Sequence, residues 1–258
     1  MSLAHGAEIV KSAEVTRDAF LGGRLTIAQP CSGFRAGLDS VLLGAAITPG
    51  SGAVLDLGAG AGTAALVALC LNESATATLV ESDPAMAALA VENLATNGLA
   101  ARARVLGLDV TAPGRARTAA GLPADHFAAV IANPPFFETG TAPAAKRAAA
   151  RHMAAETFDL WVKTAAAHAA PGGEIVFVHV ADRLAALLAA FNARFGALTV
   201  LPLLPRAGEA AHRILVRGIK GSRAPLRLLA SRALHAPASQ AFSPEFEAIF
   251  RGQDRLHW

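Results

Sequence analysis

From about residue 53 onward, short apolar runs alternate with longer segments of helical pattern, and this alternation constrains the fold more than any other feature. The helical pattern appears in segments such as TAALVALCLNE and PAMAALAVENLATNG. Short apolar runs that alternate with helices are typical of a mostly parallel sheet with both faces covered. The sequence therefore predicts an α/β fold. The predicted strands are AVLDLG, ATLVES, ARVLGLD, FAAVIAN, EIVFVHV, LTVLPLL and HRILVRGIK.

Length and composition favour one folded domain spanning residues 1–258. The chain has 258 residues, of which 53% are apolar and 17% charged, so it can bury a large core. No internal repeat, low-complexity linker or composition shift marks a boundary. Asn97-Gly98 and the PGG sequence (Pro171 to Gly173) are predicted to end helices before the third and fifth strands.

Cysteine usage and hydropathy predict a cytoplasmic protein without a membrane span. Cys31 and Cys70 share no metal-like spacing with histidines and fit a reducing compartment. No apolar run reaches the roughly 18 residues of a membrane span, and the N-terminus is too polar for a signal peptide. Because no histidine pair at helical spacing flanks an acid, no metal site is expected.

A net charge of +3 permits a polyanionic partner without requiring one. The stretch from Arg206 to Arg232 contains seven basic residues and one acid, Glu209. It represents either a solvated face or a contact surface for a polyanion.

A glycine-rich loop, LDLGAGAG, follows the first predicted strand. Gly58, Gly60 and Gly62 lack a Cβ atom, so the backbone can turn sharply and approach a ligand closely. The spacing is G-x-G-x-G, not the G-x-G-x-x-G of dinucleotide enzymes, and Asp56 precedes the first glycine by two residues. A carboxylate at that point suits a ligand with an ammonium group better than one with a pyrophosphate.

Two further acids follow the next two predicted strands. Glu81 lies about 20 residues beyond the glycine loop, where a carboxylate can accept both hydroxyls of a ribose. Asp109 ends the third strand, where it can accept from an adenine amino group. Together with Asp56, these acids indicate a pocket for an adenine, a ribose and an amino acid without phosphate. The sequence therefore predicts S-adenosylmethionine as the cofactor.

The fourth predicted strand ends in VIANPPFFETG, with Asn133 at its carboxyl end. Pro134 and Pro135 fix φ near −65° and donate no N–H, so their carbonyls are held rigidly as acceptors. The Asn133 side-chain oxygen and the Pro134 carbonyl can accept both hydrogens of an exocyclic amine, and Phe136 offers a stacking face for a base. Positioning and electrostatics then suffice without a general base. The alternative is a rigid turn whose phenylalanines, Phe136 and Phe137, lie in the core.

These motifs resemble class I S-adenosylmethionine-dependent methyltransferases with an N-P-P-[FY] motif. More closely, the chain is similar to the bacterial valine-tRNA adenine-N6 methyltransferase family, which modifies an adenine beside the anticodon. The similarity runs from about Leu21 to Gly252. The closer match to this family rests on four segments outside the core that all these methyltransferases share. They are GGRLTIAQPCSGFRAGLDSVLLGAA, NPPFFETGTAPAAKRAAARH, HRILVRGIKG and FSPEFEAIFRG.

The resemblance implies a Rossmann-like, seven-stranded, mostly parallel sheet with helices on both faces and an antiparallel last strand. Residues 1–50 would form an N-terminal segment over the cofactor, and residues 51–258 the core. By this resemblance, Arg35 and Asp39 would belong to the element that closes over the methionine end, and Asp39 is also interpreted as a helix N-cap. The remaining implied cofactor contacts are Asp56, Gly58, Gly60, Glu81 and Asp109, and the implied target-amine contacts are Asn133 to Phe136.

The catalytic loop of that family carries a basic pair, which here is Arg147 and Arg151. Four residues apart, they would share a helix face and contact phosphate, or remain solvated. Phe136 and Phe137 replace the family's common tyrosines, which keeps stacking on the substrate but removes a hydroxyl. His179 ends the fifth predicted strand and is expected to be hydrogen-bonded, not catalytic.

Several acceptors agree with these motifs. Adenine N6 in tRNA is favoured, but guanine N2 of ribosomal RNA and the glutamine amide of a release factor also present an amino group. A small-molecule O-methyltransferase is the second hypothesis, although such enzymes commonly need a metal or a histidine base. A non-enzymatic, cofactor-binding RNA chaperone is the third, and the intact N-P-P-F motif disfavours it.

Overall fold

The structure, a computed structural model, describes residues 15–32, 35–50, 52–135, 144–237 and 239–258, and only the backbone of residues 144–155. The described elements are, in chain order, β1 (Val15–Phe20), β2 (Leu25–Pro30), α1 (Leu38–Ala45), β3 (Ala53–Leu57), α2 (Thr63–Leu71), β4 (Thr76–Glu81), α3 (Pro84–Thr96), β5 (Ala103–Gly107), α4 (Gly114–Ala119), β6 (Phe127–Ala132), α5 (Ala144–His168), β7 (Ala169–Val180), α6 (Leu184–Asn192), β8 (Phe195–Leu204), β9 (Arg213–Lys220), β10 (Arg227–Leu228), β11 (Arg232–Ala233) and α7 (Pro244–Phe250).

A nine-stranded sheet organises the described residues, in the order β10-β8-β9-β7-β6-β3-β4-β5, with β11 also beside β8. The seven predicted strands are all present, and β9 runs antiparallel to both of its neighbours. The prediction of a mostly parallel sheet with an antiparallel last strand is therefore confirmed. The sequence did not predict β10 and β11, because two residues are too few to show a period of two.

Helices cover both faces of the sheet, as predicted. One apolar cluster contains buried residues of α1, α2, α3 and α7, and the other contains buried residues of α5 and α6. The strands serve both clusters because successive side chains point to opposite faces. In β3, for example, Val54 belongs to the first cluster and Leu55 to the second.

Of the two predicted helix ends, one is confirmed and the other is wrong. Asn97 and Gly98 end α3 as predicted, with Gly98 in the left-handed region at φ 68°. The PGG sequence, in contrast, lies inside β7. Ala169 pairs with Phe127 and Glu174 with Ala129, so the intervening residues bulge out of the ladder.

A separate two-stranded antiparallel sheet, β1 with β2, precedes the core. This hairpin, residues 15–30, packs against α3 and extends to the carboxyl edge of the main sheet, where the candidate site lies. Among the described residues, no helix is long and apolar enough to cross a membrane.

Candidate active site

The register of the parallel strands brings three predicted side chains to one edge of the sheet. Asp56 on β3 lies beside Leu79 of β4 and Ile131 of β6. Glu81 and Asn133 each follow those partners by two residues, so both extend beyond Asp56 at the carboxyl ends of the strands. In parallel sheets this edge, where the strand order reverses, is the usual ligand site.

A cleft opens at this edge. Its lining includes three predicted site residues, Asp56, Gly58 and Asn133. The other walls come from the hairpin (Gln29), from the segment leading into α1 (Ala36), from α1 itself (Ser40) and from α3 (Met86).

Asp56 is buried, with 2% of its surface exposed. Its Oδ2 atom accepts from the N–H of Ala65 in the first turn of α2, at 3.1 Å. Burial raises the pKa of Asp56 to about 7; the Ala65 hydrogen bond opposes this rise, and the charge of Glu81 adds to it. A desolvated carboxyl group of this kind gains most from a cation placed beside it.

The glycine loop is held to the second parallel strand by backbone and side-chain bonds. The Gly58 N–H donates to the Val80 carbonyl at 2.9 Å. The Glu81 carboxylate accepts from the Gly60 N–H through Oε2 and from the Asp83 N–H through Oε1, both at 2.8 Å. Each carboxylate oxygen can accept more than one bond, so Glu81 can orient the loop and still accept from a ligand.

The three glycines have positive φ angles of 68°, 56° and 85° at Gly58, Gly60 and Gly62. A Cβ atom on Gly58 would lie 2.5 Å from Cη2 of Trp161 on α5. A Cβ atom on Gly62 would lie 2.9 Å from a methyl group of Leu79. These two positions therefore need glycine for internal packing as well as for the turn.

Gly58→Ala is expected to lower the free energy of unfolding by about 2–5 kcal/mol, because left-handed backbone strain and overpacking against Trp161 add together. Gly60→Ala is the matched control, since its Cβ would meet only Met86, at 3.6 Å. It should show the backbone term alone, about 1–2 kcal/mol. Urea unfolding of both variants measures the difference, and equal losses would contradict the role of Trp161.

Asn133 and Pro134 follow β6 directly. The side-chain oxygen of Asn133 is buried and has no hydrogen-bond partner among the described residues. Pro134 is buried and Pro135 exposed. A buried acceptor without a donor is rare in folded proteins and marks a place where a ligand can supply the donor.

His179 lies beside this turn at the end of β7, where it is 1% exposed. Its ring packs edge-to-face on Phe158, with 4.8 Å between centroids, and lies near the backbone of Val180 and Pro135. Burial lowers the pKa of His179 to about 4, so the imidazole is neutral at neutral pH. The expectation of a hydrogen-bonded histidine stays a prediction.

Asp109 lies on the same edge but is exposed. Its Oδ1 atom accepts from the N–H of Thr111 at 2.7 Å and from the Thr111 hydroxyl at 2.8 Å. Asp109 is two residues beyond Gly107, which pairs with Glu81. The strand register thus brings Asp109 towards Glu81, and a role for it in binding adenine stays a prediction.

Arg35 and Asp39 do not line the cleft. Arg35 pairs with Asp18 at 2.6 Å and donates to the hydroxyl of Thr16, so it ties residues beyond β2 to β1. The N-cap interpretation of Asp39 is wrong, because α1 begins at Leu38 with Gly37 at its N-cap. The Asp39 carboxylate is instead drawn towards β9, where it pairs with Arg213 at 2.9 Å.

The other predicted substrate contacts cannot be placed from the described atoms. Phe136 and Phe137 lie outside the described residues. Arg147 and Arg151 lie on α5, so they share a helix as predicted, but their side chains are outside the described part.

The basic residues from Arg206 to Arg232 do not form one face. Strand β9 carries Arg213 at the carboxyl edge of the sheet and Lys220 at the opposite edge, about 24 Å away at the rise of a strand. Four of the basic residues are paired with carboxylates: Arg213 with Asp39, Arg217 with Glu174, Lys220 with Asp125 and Arg232 with Glu245. Interpreting the stretch as a single solvated or polyanion-binding surface was wrong.

No group of three histidine, cysteine or acidic side chains in the described part of the chain is arranged to hold a metal ion. Four residues at or behind the cleft are not predicted from the sequence: Gln29, Met86, Asn93 and Trp161. A usable signal existed only for Asn93, which precedes Asn97 by one helical turn in VENLATN.

Comparisons with known proteins agree with this architecture. A curated tRNA1(Val) (adenine(37)-N6)-methyltransferase from Flavobacteriaceae bacterium (strain 3519-10) is 31% identical over 157 residues, covering 60% of this chain and 64% of the relative. The enzyme of the same name from Shewanella amazonensis is 35% identical over 143 residues, covering 55% and 58%. The matched part is therefore less than two thirds of either relative's length.

Among solved structures, protein Atu636 from Agrobacterium tumefaciens, described as a predicted O-methyltransferase, has a TM-score of 0.73 and 35% identity. The match covers 84% of this chain and 98% of that chain. Fold and comparisons together place the chain in the class of methyltransferase domains. A family model described as "Methyltransferase small domain" matches residues 38–202, more than half of the chain, and the protein belongs to that family.

Proposed function

We propose that this enzyme methylates an exocyclic amino group of a nucleobase, with N6 of an adenine in tRNA as the favoured acceptor. The observation that carries the proposal is the buried side-chain oxygen of Asn133, which lines the cleft and has no donor among the described residues. An amino hydrogen of the acceptor would supply that donor. The two curated relatives, which are named as tRNA adenine-N6 methyltransferases, support the choice of base and RNA.

The cofactor suits the same cleft. S-adenosylmethionine supplies an electrophilic methyl group when bound. Asp56 would pair with its ammonium group, which would offset the cost of holding a carboxylate in a buried position. Gly58 and Gly60 would allow close approach of the backbone, and Glu81 would accept from the ribose hydroxyls.

The chain's part in the transfer step would be positioning. Asn133 Oδ1 and the Pro134 carbonyl would accept the two amino hydrogens, which aligns the nitrogen lone pair with the methyl group. Pro134 and Pro135 hold this arrangement because their φ angles are fixed. Stacking of the base on Phe136 and phosphate contacts from Arg147 and Arg151 complete the proposal on sequence grounds.

The neutral His179 supports amine over hydroxyl chemistry. A hydroxyl acceptor commonly needs a base with a pKa near the working pH, and the imidazole beside the Pro134–Pro135 turn has its pKa lowered to about 4. An amine aligned by two acceptors needs no such base before transfer. A tRNA acceptor would also agree with the cytoplasmic location predicted from the sequence.

The direct test is transfer of labelled methyl groups to total tRNA from a strain that lacks the gene, followed by nucleoside mass spectrometry. We expect a new N6-methyladenosine peak, and no peak with tRNA from the parent strain, whose site is already modified. Ribosomal RNA, release factor and a small-molecule extract are assayed in parallel. Label in one of those fractions and none in tRNA, with cofactor binding intact by calorimetry, would contradict the tRNA proposal.

A further inference from the structure

Two asparagines, Asn93 on α3 and Asn97 at its C-cap, bind the outer edge of the hairpin. The Asn97 side chain accepts from the Thr26 N–H at 2.9 Å and donates to the Thr26 carbonyl at 2.8 Å. The Asn93 side chain makes the same two bonds with Ala28, at 2.7 and 3.0 Å. Strand β2 therefore pairs with β1 along one edge and with two side-chain amides along the other.

The spacing explains how a helix can take the place of a third strand. Residues four apart on an α-helix are separated by about 6 Å along its axis, and residues two apart on a strand by about 6.8 Å. Asn97 and Asn93 can therefore match Thr26 and Ala28 one for one. Each match uses the amide oxygen and one of the two amide hydrogens.

The second amide hydrogen distinguishes the two asparagines. In Asn97 it bonds to the carbonyl of Asn93 in the same helix, at 2.7 Å. In Asn93 it bonds to the Ala61 carbonyl of the glycine loop, at 2.9 Å. Asn93 is only 1% exposed, so water cannot easily replace these bonds. The hairpin, α3 and the glycine loop are thus joined at one buried amide.

Both segments joined by Asn93 form walls of the cofactor cleft. Ala61 lines it from the glycine loop, and Gln29, the residue after Ala28, lines it from the hairpin. The Gln29 side-chain oxygen also accepts from the N–H of Ala36 at 2.7 Å, and Ala36 lines the cleft too. Fixing Ala28 against Ala61 therefore sets the separation of two walls.

We infer that Asn93 is a positioning residue for the cofactor, whose amide holds the hairpin wall and the glycine-loop wall at the separation that S-adenosylmethionine requires. The inference rests on the cofactor position proposed above and is independent of the acceptor. Because Asn93 is not part of the cleft lining, it should act on cofactor affinity and not on the transfer step.

The test compares Asn93→Ala with Asn97→Ala, its matched control, by calorimetry at a temperature where circular dichroism shows both variants folded. Both lose a pair of bonds to the hairpin, but only Asn93→Ala loses the bond to the loop. We expect Asn93→Ala to weaken cofactor binding about tenfold and Asn97→Ala by less than about threefold. Turnover at saturating cofactor should change little in either. Equal losses, or an unchanged dissociation constant in Asn93→Ala, would overturn the inference.

Where Asn93→Ala does not fold, the same coupling is measured in the unaltered protein by amide hydrogen exchange. Cofactor binding should slow exchange of the Ala28 N–H by about tenfold more than exchange of the Thr26 N–H. Equal slowing would overturn the inference. The variant Asp56→Asn distinguishes a failure of the proposed cofactor position from a failure of the role inferred for Asn93. If it too leaves affinity unchanged, the proposed cofactor position fails; if it alone weakens binding, only the role of Asn93 fails.

Discussion

Asn133→Ala is expected to lower the rate of methyl transfer by roughly 100- to 1000-fold. The variant removes one of two proposed acceptors for the amino hydrogens, so the nitrogen is no longer aligned with the methyl group. Affinity for the cofactor should stay within about threefold, because the ammonium and ribose contacts are proposed for Asp56 and Glu81. Single-turnover rates and calorimetry measure the two effects separately.

The same variant should not destabilise the cofactor-free protein. A buried acceptor without a donor costs about 1–3 kcal/mol, and Asn133 Oδ1 has no donor among the described residues. The free energy of unfolding should therefore stay the same or rise. Asn133→Asp is the companion variant, since it keeps an oxygen acceptor and should retain more activity than Asn133→Ala. A large loss of cofactor binding in Asn133→Ala would mean that the residue belongs to the cofactor site.

The sequence predicted the sheet and part of the site because both depend on short-range patterns. A buried strand is recognised in the sequence as a short apolar run. The carboxyl ends of parallel strands then lie together at one edge of the sheet. Asp56, Gly58 and Asn133 were identified in this way, and all three line the cleft. The N-cap prediction at Asp39 was wrong by two residues, because the N-cap is Gly37 and the Asp39 side chain bonds to Arg213 far along the chain.

What the sequence could not predict depends on contacts between distant segments. Met86 lies on α3 at a position that looks like an ordinary helix face, and only the packing of α3 against the glycine loop brings it to the cleft. The sequence pattern around Trp161 indicates only an aromatic core residue, yet its ring leaves no room for a Cβ atom on residue 58. The basic residues from Arg206 to Arg232 are close together in the sequence but not in the fold. Strand β9 runs from one edge of the sheet to the other and so separates Arg213 from Lys220.

Asp56→Asn is expected to stabilise the cofactor-free protein above neutral pH. Burial raises the pKa of Asp56 from 3.8 to about 7. Between these values the folded protein holds a proton that the unfolded chain has released, so the free energy of unfolding falls as pH rises through this window. One pKa unit corresponds to about 1.4 kcal/mol, which makes the full effect on the order of 4 kcal/mol. Because asparagine carries no charge, Asp56→Asn removes this pH-dependent loss of stability.

Urea unfolding of the cofactor-free proteins at about pH 4 and pH 8 measures this effect. The two proteins should be similar at the lower pH, and Asp56→Asn should be the more stable at the higher pH. Asp109→Asn is the matched control, because it makes the same substitution at an exposed carboxylate on the same edge of the sheet. A stability difference that does not vary with pH would contradict the raised pKa.

Cofactor binding should depend on pH with the opposite sign. The ionised carboxylate is the form that pairs with an ammonium group, so affinity in the unaltered protein should increase as pH rises from about 5.5 to 7.5. Asp56→Asn should bind roughly 10- to 100-fold more weakly at the upper end and lose this dependence, since a charged hydrogen bond contributes about 1.5–3 kcal/mol. A buried carboxylate that destabilises the empty protein and strengthens binding is what a cofactor site requires, and calorimetry across this range tests whether Asp56 has that role.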